Sequence, residues 1–325
     1  MIYIYSQSEA EISTEDVIDW LNYFNAPYIR LNGNDVISDY SEVIQSVDNN
    51  YYGTQKISTT DAVWFRRWIN TGTVNNKFKN QILSNRNFYE ISRHLSGEIN
   101  VYSKLFWKKF KDCKWLTYPY ELEFSKIDVL YKALECNLNI PETLITSSKL
   151  ELIKFMESSK KIITKVVTNG PPSLDLEKSL IAFQTAEITK KDIESMTDSF
   201  FPSFFQKLIE KQYELRIFFV GKKLYPMAIF SQNDEQTKID FRNYNHSKPN
   251  RKIPYKLPLN LEKKILKLIN TMNLTTGSVD IIKSINNEYI FLEINPVGQF
   301  GMTSHPCNYF IEKEIAETLI KMNTK

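Results

Sequence analysis

The chain has 325 residues, of which 42% are hydrophobic and 24% are charged. This is the composition of an ordinary globular protein, so a disordered chain and a fibrous protein are excluded, and the length predicts two or three lobes at about 150 residues each. Lys and Arg total 41 against 38 for Asp and Glu, and the net charge of +3 is too small to indicate a nucleic-acid-binding protein.

Glycine, cysteine and histidine are all scarce. Nine glycines argue against a glycine-rich phosphate loop, and the sequence contains neither a Walker motif nor a dinucleotide-binding motif. Three widely spaced cysteines and three widely spaced histidines argue against a His/Cys metal cluster and favour a reducing compartment. The sequence also lacks an apolar run of about 18 residues, which a membrane-spanning helix needs, and the basic start of a signal peptide. We therefore expect a cytosolic protein.

The first third of the chain predicts alternating strands and helices. Residues 1–6 read as a strand, residues 13–24 as a helix with one apolar side, and residues 28–32 as a second strand, which makes a β-α-β unit. A third strand is predicted at 62–65, and a long helix at about 76–111. The N-terminal lobe is therefore expected to be α/β.

The middle of the chain predicts a second group of short elements. A helix begins at residues 125–126, a strand covers 143–146, a second helix covers 150–158, and a second strand covers 161–167. Asn, Gly and two Pro residues at 169–173 give the strongest turn signal in the sequence.

From residue 205 onward the pattern returns to strands. They are predicted at 214–220, 224–231, 277–282 and 288–295. A helix is expected at 261–272, and a closing helix from about residue 308.

The strands at 277–282 and 288–295 predict a hairpin. Asn286-Asn287 suits a two-residue turn, because Asn tolerates a positive φ better than most residues. With that turn Ile285 pairs with Glu288, and the numbers of every directly opposed pair add up to 573. The predicted core-facing pairs are Val279 with Ile294 and Ile281 with Leu292.

The same register brings three oxygen-bearing side chains together. Asp280 lies opposite Glu293, about 5 Å away at Cβ, and Asn295 lies on the same face two residues further on. Because opposed like charges repel, we expect a cation between the two acids, and hard oxygen ligands suit Mg²⁺. The alternative is a solvent-exposed sheet face that carries incidental acids.

Basic residues upstream of the hairpin complete an ordered pattern. From Ser125 to Met302 the chain resembles the ATP-grasp superfamily of carboxylate-amine ligases. The resemblance rests on Lys126 at a helix start, Lys165 in Ile-Thr-Lys-Val-Val, the hinge at 205–211, Arg216 in Glu-Leu-Arg-Ile-Phe-Phe-Val-Gly, Asp280, and Glu293-Ile-Asn295-Pro.

Three further segments, 63–67, 238–242 and 293–301, are similar to those of the peptide maturases that make graspetides, the microviridin-like cyclic peptides. They look closest to the grasp-with-SPASM branch of these enzymes. The resemblance implies an α/β (α+β) protein with the ATP-grasp fold. Its lobes would be an N-terminal α/β pre-ATP-grasp domain, a central α+β subdomain, and a C-terminal antiparallel-sheet subdomain that carries the metal-binding hairpin, with ATP between the last two. The corresponding boundaries are 1–120, 121–200 and 201–325.

The resemblance also implies a role for each matching residue. Lys126 and Lys165 would hold the nucleotide phosphates, and the hinge residues Gln206, Lys207, Leu208 and Ile209 would meet adenine through backbone groups. Lys211 falls near the ribose-contacting position, with Glu210 as the neighbouring possibility. Asp280, Glu293 and Asn295 match the metal ligands. Arg216 and Arg242 lie near the transferred phosphoryl group, where they would hold the substrate carboxylate and the developing negative charge. The usual glycine-rich flap is reduced to Gly170 followed by two prolines.

The activity implied is that of an ATP-dependent peptide macrocyclase. Its substrate would be a ribosomally made precursor peptide with a leader and an acidic Ser/Thr-rich core. The enzyme would use ATP and two Mg²⁺ ions to convert Asp or Glu side chains of this peptide into acyl phosphates. Ser or Thr hydroxyls or Lys amines would then close ester or amide rings. The resemblance also suggests a SPASM-domain partner protein and a homodimer in the cytoplasm.

Three questions stay open at this level. An ATP-grasp ligase that joins amino acids or glutamylates a protein is one alternative. Bases and aromatic residues alternate at 104–115, which would also suit a nucleic-acid-binding protein, although one buried helical stripe explains the same pattern. Arg66 and Arg67 would suit either an acidic peptide or a structural ion pair.

Overall fold

The computed structural model describes residues 1–8, 11–33, 51–52, 55–56, 58–68, 88–122, 124–167, 173–176, 179–182, 185–234, 236–239, 241, 245 and 247–323. The chain divides into two compact units. The first comprises Met1–Leu122, Gln299–Ser304 and Phe310–Lys325, and the second comprises Glu123–Gly298 and His305–Tyr309. The finer division at residues 120 and 200 stays a prediction.

The described strands, in chain order, are β1 (Ile2–Ser6), β2 (Tyr28–Asn32), β3 (Tyr51–Tyr52), β4 (Gln55–Lys56), β5 (Ala62–Phe65), β6 (Lys114–Leu116), β7 (Thr143–Ser148), β8 (Ile162–Thr164), β9 (Ser173–Leu176), β10 (Ser179–Ala182), β11 (Ala186–Ile188), β12 (Ser199–Lys207), β13 (Lys211–Val220), β14 (Lys223–Phe230), β15 (Arg251–Pro254), β16 (Thr276–Ser284) and β17 (Tyr289–Asn295). The described α-helices are α1 (Ile12–Tyr23), α2 (Phe88–Lys109), α3 (Lys126–Glu135), α4 (Lys149–Ser159), α5 (Lys190–Ser195), α6 (Leu259–Thr271), α7 (Gly301–Cys307) and α8 (Ile311–Met322). A short 3₁₀ helix covers Pro119–Leu122. Among the described helices, none is long and apolar enough to cross a membrane.

The first unit is an α/β layer, as the sequence predicts. Its sheet has the order β2-β1-β5-β6, and all neighbouring strands are parallel. Strand β1 is buried along its whole length, which is typical of a central parallel strand covered on both faces. Tyr3, Tyr5 and Phe110 pack edge to face in its core. The β-α-β unit and the strand at 62–65 are confirmed.

The end of the chain forms two helices, where the sequence predicts one from about residue 308. Helix α7 ends at Cys307, and α8 begins at Ile311. Between them both Asn308 and Phe310 have a φ of +52°, a left-handed conformation that interrupts a right-handed helix. The long helix predicted at 76–111 is described from Phe88 onward, and its earlier part lies outside the described residues.

Among the described residues, the second unit contains two larger antiparallel sheets and a two-stranded antiparallel sheet of β9 and β10. One of the larger sheets has the order β11-β8-β12-β7, and the other has the order β15-β14-β13-β16-β17. Strand β8 ends at Thr164, so the predicted strand at 161–167 is too long and Lys165 follows the strand instead of lying inside it. Most of the predicted turn at 169–173 lies outside the described residues.

Helix α3 begins where the sequence predicts, because a capping box fixes its first turn. The Ser125 hydroxyl accepts a hydrogen bond from the Asp128 backbone N–H at 3.1 Å, and the Asp128 carboxylate accepts one from the Ser125 N–H at 3.2 Å. These two bonds satisfy backbone donors that a helix otherwise leaves unpaired. Lys126 is consequently held at the first helical position.

The hairpin of β16 and β17 is less regular than predicted. Its turn has three residues, because the Ser284 carbonyl accepts a hydrogen bond from the Asn287 N–H at 3.0 Å and Asn287 has a φ of +63°. The predicted pairing of Ile285 with Glu288 is therefore wrong, and Ser284 faces Glu288 instead, where the Ser284 N–H donates to its carbonyl at 2.9 Å.

A β-bulge at Leu292 corrects this shift further along the hairpin. Ile281 pairs with Phe291, not with Leu292 as predicted, whereas the next residue, Asp280, pairs with Glu293. Leu292 is the extra residue, and it joins the cavity described below instead of the core. The predicted pairing of Val279 with Ile294 is confirmed.

Candidate active site

A cavity of about 550 Å³ lies in the second unit and is lined by residues of its four-stranded and five-stranded sheets. The segment that links β12 to β13 lies along it, and its charged lining includes Lys165, Lys211, Glu214, Asp280 and Glu293. Ile163, Ile282 and Leu292 add apolar lining. Charged and apolar side chains together line this concave site, which suits a small molecule or cofactor that carries charge.

The two acids of the hairpin face each other in this cavity. Asp280 lies directly opposite Glu293 on the neighbouring strand, as predicted. Only 6% of Asp280 is exposed, so a solvated sheet face with incidental acids is excluded. Its carboxylate accepts hydrogen bonds from Arg216 Nη1 at 3.2 and 3.4 Å, which offsets the cost of burying the charge.

Asn295 extends the acidic pair by one step along β17. Its Nδ2 donates a hydrogen bond to Glu293 Oε1 at 3.1 Å, so its Oδ1 is the atom that it offers to a cation. Asn295 pairs with Ser278, the second residue before Asp280, which keeps it on the same face of the sheet. The three side chains that the sequence predicts to meet are thus neighbours.

This donor set fits Mg²⁺ in combination with a nucleotide. Among the described residues no group of three or more His, Cys, Asp and Glu side chains is able to hold a metal ion. Two carboxylates and one amide leave several coordination positions open, and Mg²⁺ fills such positions with waters and substrate phosphates. The chemistry of the ligands therefore favours a metal that arrives with phosphate over a permanently caged ion.

Arg216 is held rigidly next to the acids. It lies on β13, opposite Asp280 on β16, and its Nη2 donates to Ser278 Oγ at 3.1 Å in addition to the bonds to Asp280. Only 7% of the residue is exposed, and its buried Nε–H has no acceptor among the described residues. The guanidinium is therefore oriented by two neighbours, and its Nε–H is available to a further acceptor.

The two candidate phosphate-binding lysines lie near the same segment of chain. Lys165 lines the cavity, with its Nζ 5.6 Å from the centre of the Phe204 ring. Lys126 Nζ donates a hydrogen bond to the Val166 carbonyl at 3.1 Å and is not part of the described lining. The structure thus places Lys126 one contact away from the cavity through the residue that follows Lys165.

The hinge between β12 and β13 is fixed from its outer side. The Lys207 N–H donates to the Glu142 carbonyl at 3.0 Å, and the Leu208 N–H donates to the Lys161 carbonyl at 2.9 Å. Gln206 is 1% exposed, and its Nε2 donates to Thr143 Oγ1 at 2.9 Å. The Gln206 Oε1 is a buried acceptor without a donor among the described residues, which suits a ligand that carries an amino group.

Lys211 is engaged inside the protein. Its Nζ forms an ion pair with Glu214 Oε1 at 2.6 Å and donates to the Ile239 carbonyl at 3.0 Å, and both side chains of the pair are buried. The Ser231 hydroxyl donates to the same Glu214 oxygen at 3.0 Å. Of the two candidates for the ribose position, Lys211 lines the cavity with its charge compensated, and Glu210 also lines it.

Glu214 is a cavity residue that the sequence reasoning missed. It lies two residues before Arg216 on the same strand, so the alternation of β13 already places both on one face. The bulge between Lys211 and Tyr213 is what brings Lys211 to that face as well, and no sequence signal announces it.

Other predicted positions lie elsewhere. Arg242 lies outside the described residues. In the first unit Arg66 Nε forms an ion pair with Glu11 Oε1 at 3.0 Å, and Arg67 pairs with the other oxygen of Glu11. Burial lowers the pKa of Arg66 to about 10. Of the two readings for these arginines, the structure favours the structural ion pair.

The basic and aromatic segment at 104–115 uses its described rings internally. Phe110 is fully buried, Trp107 and Trp115 pack against the core of the first unit, and the Trp115 indole N–H donates to the Phe110 carbonyl at 2.6 Å. Rings that are buried in this way cannot stack on bases. The buried helical stripe therefore explains the pattern.

Comparison with known proteins agrees with this architecture. A RiPP-associated ATP-grasp ligase from Chryseobacterium gregarium, solved with ADP and a leader and core peptide, has a TM-score of 0.82 at 26% identity, over 98% of this chain and 96% of that one. The macrocyclase MdnC from Microcystis aeruginosa, solved with the precursor peptide MdnA, has a TM-score of 0.75 at 23% identity, over 98% and 99% of the two chains.

The ATP-grasp ligase PsnB, solved with a minimal precursor, Mg and ADP, has a TM-score of 0.77 at 14% identity, over 99% of this chain and 97% of that one. No protein-family model matches this chain, and no curated protein matches it. At 14% and 23% identity the likeness shows the fold alone, whereas the 26% identical ligase matches nearly the whole of both chains. The chain therefore has the ATP-grasp α+β fold and is similar over nearly its whole length to a RiPP-associated ATP-grasp ligase.

Proposed function

We propose that this chain is an ATP-dependent peptide macrocyclase. It would join Asp or Glu side chains of a ribosomally made precursor peptide to Ser or Thr hydroxyls or Lys amines, and it would release ADP and phosphate. The observation that carries the proposal is the directly opposed pair of Asp280, which is buried, and Glu293 in a cavity that is also lined by the hinge and Lys165. The similar structures that hold nucleotides and precursor peptides support the same activity.

The chemistry follows from the low reactivity of a carboxylate. A carboxylate oxygen of the peptide attacks the γ-phosphorus of ATP, the bond to ADP breaks, and an acyl phosphate forms. A hydroxyl or amine then attacks the acyl carbon, loses its proton, and expels inorganic phosphate. Because both steps pass through strongly anionic states, fixed positive charges and oriented donors are the main contribution that the protein makes.

Each predicted site residue receives a role in this scheme. Lys126 and Lys165 hold nucleotide phosphates, and the segment from Gln206 to Ile209 holds adenine. Arg216 stabilises the negative charge that develops during phosphoryl transfer, since a planar guanidinium donates to two oxygens at once. Arg242 shares this role with Arg216.

Asp280, Glu293 and Asn295 would hold Mg²⁺, which neutralises charge on the phosphate oxygens when it is bound. These ligands lie on two adjacent strands, so their spacing is fixed before the nucleotide enters. Lys211, or Glu210 beside it, contacts the ribose.

Several finer features extend the same proposal. We infer two Mg²⁺ ions, a homodimer and a SPASM-domain partner from the resemblance of segments 63–67, 238–242 and 293–301 to the graspetide maturases. The boundaries at residues 120 and 200 follow from the same resemblance. A cytoplasmic location is inferred from the scarce, widely spaced cysteines and the lack of a signal peptide in the sequence. Size-exclusion chromatography with light scattering tests the dimer, and co-purification tests the partner protein.

A mass measurement tests the activity directly. The chain is incubated with ATP, Mg²⁺ and a candidate precursor, a small acidic Ser/Thr-rich peptide sought among the open reading frames next to its gene, and the peptide mass is followed. We expect successive losses of one water mass per ring. The matched control is Glu293→Gln, which keeps the size of the side chain and removes its charge, and we expect it to abolish the losses.

The same experiment separates the alternatives. A ligase that joins amino acids or glutamylates a protein would consume ATP with glutamate present and leave the mass of this peptide unchanged or increased. D-cycloserine synthetase, with a TM-score of 0.53 at 9% identity, shares only the fold and gives this alternative no further support.

A further inference from the structure

A lysine on the edge strand of the five-stranded sheet shares a face with the site. Lys252 on β15 lies opposite Ile229 on β14, which lies opposite Glu214 on β13. Directly opposed residues point to the same side of a sheet, and so do residues two apart on one strand. Lys252 therefore faces the side that carries Arg216 and Asp280.

Lys252 and Arg216 are close enough to affect each other. Two strand spacings and an offset of two residues along the strand separate their Cα atoms, about 12 Å in all, which two long side chains can bridge. Burial, and then the positive charge of Arg216, lower the pKa of Lys252. The two cations therefore lie near each other in a partly water-excluded part of the sheet, where like charges repel.

Arg216 marks the border between this pair and the nucleotide cavity. The described lining of the cavity includes Asp280 but neither Arg216 nor Lys252. On the cavity side Arg216 is neutralised by Asp280, and its buried Nε–H has no acceptor among the described residues. An anion that approaches from the Lys252 side would relieve the repulsion between the cations and provide that acceptor.

We propose that Lys252 and Arg216 together form the receptor for the acidic side chain of the peptide that this enzyme activates. This inference rests on the proposed function and adds a substrate-binding residue to it. It places the substrate carboxylate on the β14–β15 side of Arg216, opposite to the side on which Asp280 lies, with one of its oxygens directed at the γ-phosphate. Lys252 binds this carboxylate and takes no part in nucleotide binding.

A binding cycle tests the assignment without requiring turnover. Two peptides are compared in the presence of Mg²⁺ and AMP-PNP. The first is the candidate precursor peptide of the mass measurement, and the second is the same peptide with every core Asp and Glu replaced by Asn and Gln. Fluorescence anisotropy gives Kd for the wild type, Lys252→Met and Lys252→Arg. Lys256→Met is the matched control, because Lys256 is exposed and lies just past β15.

We expect Lys252→Met to raise Kd for the acidic peptide about tenfold, the effect of one charged hydrogen bond. Kd for the amide peptide should stay unchanged, Lys252→Arg should retain most of the affinity, and Lys256→Met should behave as wild type. An unchanged Kd for AMP-PNP shows that Lys252→Met is folded. Equal effects of Lys252→Met on both peptides, or none on either, would overturn the inference.

The failure of this inference and that of the proposed function are distinguishable. If the wild type closes rings on the precursor but Lys252→Met binds both peptides like wild type, the macrocyclase stands and Lys252 is not part of the receptor. If the wild type binds the acidic peptide no better than the amide peptide, the receptor is also rejected. Absence of ring formation, measured separately by mass, counts against the proposed function alone.

Discussion

Asp280 lies directly opposite Glu293 because two irregularities of their hairpin cancel. The turn contains one residue more than the two-residue turn, which shifts the first pairs of the hairpin by one position. The bulge at Leu292 then shifts the register back just before Glu293. The bulge also turns Leu292 toward the cavity, where its side chain lies beside the carboxylates. An irregular hairpin thus combines two acids and an apolar wall on one face.

The close approach of Gly298 to Ser278 is expected to be essential for the orientation of Arg216. A Cβ at position 298 would lie 2.3 Å from Ser278 Oγ, so Gly298→Ala must displace the hydroxyl that accepts from Arg216. Because displacements of about 1 Å in an active site cost on the order of 100-fold, we expect kcat to fall by about that factor.

Steady-state kinetics with the precursor peptide measures this effect. Gly97→Ala is the control, since a Cβ there meets no atom within 4 Å and the position lies inside helix α2. It should leave kcat unchanged and raise the free energy of unfolding by about 0.5–1 kcal/mol. Wild-type kcat in Gly298→Ala would contradict the role of Ser278.

The ion pair of Lys211 and Glu214 is expected to stabilise the second unit. Both side chains are buried and joined at 2.6 Å, so Glu214→Gln leaves a buried cation without its counter-charge. Loss of one partner of such a pair typically costs about 3–5 kcal/mol. We expect urea unfolding to show a loss of this order, and we expect Lys211→Met combined with Glu214→Leu to lose less than either single variant. Additive losses would show that the two side chains act independently.

The capping box of helix α3 predicts a pH-dependent contribution to stability. Hydrogen bonds from Ser125 hold the pKa of Asp128 below its ordinary value of 3.8, so the folded state keeps this carboxylate ionised at lower pH than the unfolded chain does. Its contribution is complete above about pH 3.8 and is lost as pH falls through the folded-state pKa. The difference in Tm between wild type and Asp128→Ala should therefore be largest near neutral pH and shrink in acid.

A second capping box provides the control for this variant. Thr189 and Asp192 form the same pair of hydrogen bonds at the start of α5. Asp192→Ala should lower Tm in the same pH-dependent way and leave the affinity for ATP unchanged. Asp128→Ala should also weaken ATP binding, because it loosens the turn that holds Lys126. Equal ATP affinity in both variants would contradict the role of Lys126 in nucleotide binding.

Much of this architecture follows from local sequence signals. The capping residues before α3 and the short apolar runs of β1, β13 and β16 each encode an element within a few residues. The pairing of Asp280 with Glu293 also followed from the sequence, although the assumed turn was wrong and the bulge compensated for it. The correct pairing results from the longer turn and the bulge cancelling each other as much as from the rule that predicted a two-residue turn.

The interactions that sequence reasoning did not reveal depend on strand irregularities or on contacts between distant segments. The ion pair of Lys211 and Glu214 depends on a bulge, and the bond from Lys126 to the Val166 carbonyl joins segments 40 residues apart. Lys252 reaches the active face only because β15 pairs with β14. These three features depend on strand order or on a local irregularity, and the residue spacing within a single segment encodes none of them.

Isothermal titration calorimetry tests the magnesium site most directly. It measures the affinity of the wild type and of Glu293→Gln for ADP as a function of Mg²⁺ concentration. We predict that Mg²⁺ strengthens ADP binding to the wild type at least tenfold and has almost no effect on Glu293→Gln, with both proteins folded. The same Mg²⁺ dependence in both proteins would contradict the assignment of Asp280, Glu293 and Asn295 as the ligands that couple the metal to the nucleotide.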